Sequence, residues 1–228
     1  MSTVANPLYR LFHSPGACSL APHIVLEELR ESCAIHYEPV PVVIAEGANR
    51  SPAYLAVNPR GRVPALAYRD ESGQEQILTE AMAILLFLGS RHPEAGLVPT
   101  EPMALVRLIE WMSWLASTLH QAGVRTVFRP ERFTTATDKA AHEGIAAQGR
   151  IAVRAGFAEI EAKLAGRAFA FGDRFSVLDA YLVVFYRWGG RCGLAMREEF
   201  PGFATLIDGL RARSAVARVI AREGLQME

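Results

Sequence analysis

The sequence predicts two units, a small α/β sheet domain of about 90 residues followed by an all-helical domain. Three observations predict it. Strand and helix signals alternate in the order β-α-β-α-β-β-α as far as residue 91, the segment 92–102 concentrates Pro93, Gly96, Pro99 and Pro102, and beyond it only helical periodicity recurs. The division read from this pattern is 1–91, a linker over 92–102, and 103–228.

Leu8 to Phe12 is a short apolar run closed by Ser14-Pro15-Gly16, as a strand followed by a turn would be. Leu20, Ile24, Val25 and Leu29 then keep helical spacing, with Pro22 tolerated in the first turn. Ile35 to Val43 is rich in Val and Ile, as a buried strand is. Ser51-Pro52 opens a short helix that Asn58-Pro59-Arg60-Gly61 must end. Val63 to Tyr68 and Glu75 to Leu78 form two strands joined by the turn Asp70-Glu71-Ser72-Gly73. Thr79 is expected to cap a helix carrying Met82, Leu85, Leu86 and Leu88.

In the second unit Leu105, Leu108, Met112, Leu115 and Leu119 form one stripe on a helix from Pro102 to Gln121, and a polar stretch follows to Thr137. A second long helix is expected over Lys139 to Leu164. Ser176 and Asp179 stand as an acidic capping box before a helix that is apolar nearly all round, which places it in a bundle centre. Pro201 and Ser214 open two shorter helices.

Composition excludes several classes. The 228 residues carry 24 Lys+Arg against 24 Asp+Glu, so no long-range field draws the chain to nucleic acid or an acidic membrane. Met1 to Pro7 has neither a basic region nor an apolar run, so no leader is expected, and the longest apolar stretch, Ala180 to Tyr186, is too short to span a bilayer. Cys18, Cys33 and Cys192 are far apart and odd in number. That argues against a disulfide framework or a metal site and for a reducing, cytoplasmic setting. Cys33 and Cys192 are expected to be inert.

Three segments carry chemistry. Cys18 lies between the first strand and the first helix, where free N–H groups and the helix dipole favour a thiolate. Position alone leaves open the other fate of a lone cysteine, a small buried apolar residue. Val63-Pro64 follows a glycine turn at a strand start, where a proline removes a ladder donor, and a cis bond is expected. Val63 would then offer its backbone to an extended ligand, the alternative being an ordinary edge-strand proline. Thr79-Glu80-Ala81 opens the third helix, whose N–H groups suit a carboxylate while Glu80 suits an ammonium. Glu80 could equally do no more than complement the helix dipole.

In this order and spacing the segments resemble the cytosolic glutathione transferases, the bacterial beta class above all. Ser14-Pro15-Gly16-Ala17-Cys18-Ser19-Leu20-Ala21-Pro22-His23 resembles that class's cysteine segment. Asn58-Pro59-Arg60-Gly61-Arg62-Val63-Pro64-Ala65-Leu66 is similar to its cis-proline segment, and Leu78-Thr79-Glu80-Ala81 to its γ-glutamyl segment. The similarity runs on through Glu110-Trp111 to His120, through Gly172 to Tyr181, and to Glu223-Gly224-Leu225. The resemblance implies a thioredoxin-like first domain, a helical second domain, a homodimer, and glutathione as co-substrate between the domains. It implies Cys18 and His120 as catalytic residues. Val63 and Pro64 would meet the cysteinyl backbone of glutathione, Glu80 and Ala81 the γ-glutamyl group, and Arg62 the glycine carboxylate.

On a regular helix Ile109, Ser113, Ala116 and His120 share a face. Ala81 replaces a common family serine, and Ser14 and Ser19 keep a serine-type activation open. The expected activity is conjugation of glutathione to small hydrophobic electrophiles. The rivals are a thiol transferase limited to a monothiol route, since Cys18-x-x-Ala21 has no resolving cysteine, and a non-catalytic binding module. An isomerase or dehalogenase on the same scaffold also remains open.

Overall fold

The computed structural model describes residues 8–227. The expectation about Met1 to Pro7 lies outside the described residues. Strands β1 (Tyr9–His13), β2 (Tyr37–Pro41), β3 (Ala65–Arg69) and β4 (Glu75–Thr79) form one sheet in the order β2-β1-β3-β4. β1 pairs in parallel with β2, Leu11 opposite Pro39, and antiparallel with β3, Leu11 opposite Leu66. The parallel pair needs a crossover, which helix α1 (Leu20–Ser32) supplies. Alternation along β1 divides its side chains between two cores: Tyr9 and Leu11 face the main one, and Phe12 faces a smaller one with Tyr54, Val63 and Ala65.

Helix α2 (Pro52–Val57) begins at Ser51, whose hydroxyl accepts the Tyr54 N–H, and Pro52 occupies its first turn. Helix α3 (Ala81–Arg91) departs from expectation at its start. Thr79 remains in β4, paired with Ala65, and Glu80 becomes the capping position with φ 71° and ψ 123° and no side-chain cap.

The helical part begins with α4 (Pro102–Trp114), capped by the Glu101 carboxylate on the Met103 and Ala104 N–H groups. It runs on without a break as a π-helix, Leu115–Val124, and ends in α5 (Arg125–Phe128). Helix therefore replaces the first part of the expected polar stretch. Next come α6 (Lys139–Leu164), α7 (Val177–Arg191), a short α8 (Met196–Glu199) that the sequence reading lacked, α9 (Pro201–Arg211) and α10 (Ser214–Arg222). The Ser176–Asp179 capping box forms as expected, and α7 is buried along nearly its whole length.

α1 packs on both α7 and α10, so it belongs to the core of each half. Charge strengthens that seam. The Glu28 carboxylate accepts two bonds from Arg213, at 2.7 and 2.8 Å, and the buried Glu27 accepts from Arg218 at 2.8 Å and from the Tyr37 hydroxyl at 2.5 Å. The cysteine loop at the N-terminal end of α1 is thus carried on a helix that both halves hold.

Candidate active site

The turn between β1 and α1 is built mostly from its own polar groups. Ser19 Oγ accepts the Ser14 N–H at 3.0 Å and donates back to the Ser14 carbonyl at 3.2 Å. Ser19 is fully buried, so its hydroxyl is committed to the loop and does not face a substrate. The turn is also held from the helical half. The Gly16 N–H donates to Glu223 Oε2 at 2.8 Å, and the Trp188 indole N–H donates to the Gly16 carbonyl at 3.0 Å. Gly16 has φ +66°, a left-handed conformation that suits glycine.

Cys18 stands just before α1, which starts at Leu20. Its thiol donates to the Val63 carbonyl at 3.4 Å. Burial pushes the thiol up to about 12, outweighing the backbone N–H groups of Cys18 and Ser19; Glu80 adds to the rise and Arg62 opposes it. Burial thus opposes the thiolate that the helix N-terminus favours. Desolvation of a sulfur anion costs more than two N–H groups return.

Val63-Pro64 is cis, as expected. The segment before it is fixed by Tyr54 Oη and Asn58 Nδ2, which both donate to the Arg62 carbonyl, at 2.7 and 2.6 Å. Val63 turns its carbonyl to Cys18, and its N–H meets no acceptor among the described residues. The Arg62 side chain is exposed, near enough to Cys18 and His120 for its charge to act on both. Glu80 carries the positive φ at the β4–α3 junction, a conformation costing about 1–3 kcal/mol in a non-glycine residue. Its carboxylate is mostly exposed, with Arg60 at 3.9 Å. Ala81 is buried at the first position of α3, whose first N–H groups have no side-chain cap.

His120 lies inside the π-helix, where the Arg125 N–H reaches back to the His120 carbonyl. The wider turn replaces the regular register on which the shared face with Ile109 was reckoned. π-Helical insertions of this kind occur frequently at functional sites. The imidazole packs on Trp188, ring centres 4.6 Å apart, and burial followed by the Arg62 charge lowers it to about 4. It is neutral at pH 7. Because Trp188 also holds Gly16, one indole joins the His120 layer to the cysteine loop.

Sequence reasoning missed two parts of the site. Tyr181 is buried beneath the cleft, its phenol pushed up by burial and then by the proximity of Cys18 and Glu80. Its only signal was membership of the Gly172–Tyr181 segment. The other is a buried triad of His13, His23 and Glu223. His23 Nδ1 lies 2.7 Å from Glu223 Oε1 and must be the donor, while His13 Nδ1 lies 3.3 Å from the same oxygen. Burial would raise the Glu223 carboxyl, but the bonds from His23 and the Gly16 N–H, with His13 close by, outweigh it and hold it at about 2. His23 is lowered by its burial, with Glu223 opposing.

Comparison with known proteins decides the family. The family model of the glutathione S-transferase N-terminal domain matches residues 7–90, and that of the C-terminal domain matches residues 139–209. Glutathione S-transferase GstA of Escherichia coli O157:H7 is 30% identical over 219 residues, 95% of this chain and all of that protein. The chain belongs to the glutathione S-transferase family. Among solved structures, a glutathione transferase homologue from Sulfitobacter with bound glutathione is 34% identical, with a TM-score of 0.83 over 96% of this chain and 100% of that one. A bacterial beta class glutathione S-transferase from Sphingomonas chungbukensis is 32% identical, with a TM-score of 0.77 over 95% and 100%. The thioredoxin-like fold and the family expected from the cysteine, cis-proline and γ-glutamyl segments are both present. Among the described residues no helix is long and apolar enough to cross a membrane.

Proposed function

We propose that this protein conjugates glutathione to small hydrophobic electrophiles, with Cys18 as a hydrogen-bond donor to the glutathione sulfur and not as a nucleophile. The observation that carries this is the Cys18 thiol, kept protonated, facing Val63 beside an unpartnered Val63 N–H. A protonated thiol can donate to a bound thiolate. The raised thiol makes attack on a disulfide unfavourable. The thiol-transfer rival is therefore disfavoured.

Glutathione would lie extended along Val63, exchanging backbone bonds with it in the manner of an added strand. Its α-carboxylate would take the open N–H groups of α3 from Ala81 onward, and Glu80 would hold the ammonium. The exposed Arg62 suits the glycine carboxylate. In the reaction the glutathione thiol loses its proton to solvent, with the neutral His120 as a hydrogen-bonding partner in the cleft. The sulfur then forms a bond to the electrophilic carbon while the leaving group departs with its electron pair, and the Cys18 S–H stabilises the thiolate beforehand.

The same reading takes 1–91 as the glutathione-binding domain, 92–102 as linker and 103–228 as the helical domain of a cytoplasmic homodimer. The direct test is calorimetric titration of glutathione into wild type and Glu80→Gln. Loss of a charge-assisted bond weakens binding by about 1.5–3 kcal/mol, and equal dissociation constants would remove Glu80 from the site.

A further inference from the structure

A second cluster lies away from this cleft, at the far end of α1, which at 13 residues places it roughly 20 Å from the cysteine loop. Cys33 caps the C-terminus of α1, His92 caps that of α3, and Glu94 lies in the short turn Pro93–Ala95 that follows. The Cys33 sulfur, a His92 ring nitrogen and a Glu94 oxygen all lie within 4.8 Å of one another.

We propose that Cys33, His92 and Glu94 bind a divalent cation of the zinc type. The donor set is one that zinc takes, a thiolate, an imidazole and a carboxylate. His92 Nδ1 and Glu94 Oε1 are 3.4 Å apart. That is long for a charge-assisted bond between imidazole and carboxylate, commonly about 2.7–2.9 Å. It matches the edge of a tetrahedron with bonds of about 2.0–2.1 Å to its centre, roughly 3.3–3.4 Å. The imidazole is also braced from behind: Tyr9 Oη lies 2.9 Å from His92 Nε2. With Nε2–H donating to Tyr9, the Nδ1 lone pair points toward Glu94, and the tautomer is the one a metal requires. Tyr9 itself is buried at the base of the sheet, so the brace is rigid.

Glu94 is 60% exposed, which leaves the site a path from solvent and a fourth position for water. Binding converts the Cys33 thiol to a metal-bound thiolate and releases one proton to solvent, so charge and atoms balance. The cation would tie the end of α1 to the segment leaving α3. The spacing rules that speak against a metal site miss it because its donors come from two separate helix ends. The proposal does not depend on the transferase reading.

Cobalt(II) is the reporter, because a cobalt–thiolate bond produces a charge-transfer band that nitrogen and oxygen donors alone do not. Titration of the full chain is expected to give a single saturable band, displaced by zinc, with one proton released per ion. Cys33→Ser should abolish the band, Glu94→Gln should weaken binding at least tenfold, and Cys18→Ser should leave the band intact. Absence of a band in wild type, its survival in Cys33→Ser, or its loss in Cys18→Ser would each overturn the assignment. Circular dichroism of the Cys33→Ser chain separates loss of the ligand from loss of the fold.

Discussion

Replacing Glu223 by glutamine removes one charge and almost no volume from the point where the C-terminal segment grips the cysteine loop. The carboxylate accepts from His23 and from the Gly16 N–H while His13 lies 3.3 Å away, and its side chain is wholly enclosed. A carboxyl that ionises at about 2 when folded and about 4.5 when unfolded contributes about 3 kcal/mol at pH 7. Glutamine keeps one acceptor for His23 but turns an amide N–H₂ toward the Gly16 N–H, so no compensating bond replaces the lost one. Urea unfolding at pH 7 is expected to show Glu223→Gln destabilised by about 3 kcal/mol.

The pH dependence follows from the sign of the shift. A depressed carboxyl gives stability that is complete above its unfolded value and fades as pH falls toward its folded one. The carboxyl's own contribution to the gap should therefore fall by about 0.8 kcal/mol on going to pH 4. His23, lowered chiefly by burial with Glu223 opposing, costs both proteins stability as pH falls below its unfolded value, and costs Glu223→Gln more because the opposing carboxylate is gone, which works against the narrowing of the gap. Coincident unfolding curves at pH 7 would refute the reasoning.

Cys18→Ala should retain conjugation within about tenfold of wild type, since a donated S–H bond is worth roughly 0.5–1.5 kcal/mol, and any thiol-transfer activity should vanish; loss of conjugation with glutathione affinity intact would return Cys18 to a nucleophilic role. Asp179→Ala should cost about 3 kcal/mol or more, because the carboxylate accepts from the Ala170 N–H, the Ser176 N–H and the Ser176 hydroxyl at 2.7–2.8 Å. Urea unfolding measures that loss, and a change under 1 kcal/mol would mean that water replaces all three bonds.

How much could be read in advance depends on how far each interaction reaches along the chain. The succession of strands and helices along the first unit, the helix limits of α6, the Ser176–Asp179 box and the proline after Val63 follow from neighbours a few residues away. Thr79 misled because its pairing with Ala65, in another strand, overrode a good local capping residue. His120 was identified by resemblance, yet its orientation depended on a π-helix whose register no short periodic pattern reveals.

The sequence by itself determined the alternating α/β unit and the helical unit, and its resemblance singled out Cys18, Val63, Glu80 and His120 as the proposed site. Only the tertiary structure decided what state those groups are in. Burial pushes the Cys18 thiol up, and the Glu223 carboxyl is held low because His13, His23 and Gly16, the last of them 207 residues away, converge on it. Desolvation and charge are sums over everything packed within a few ångströms. A sequence orders its residues along one dimension, and that sum exists only after folding has brought them together.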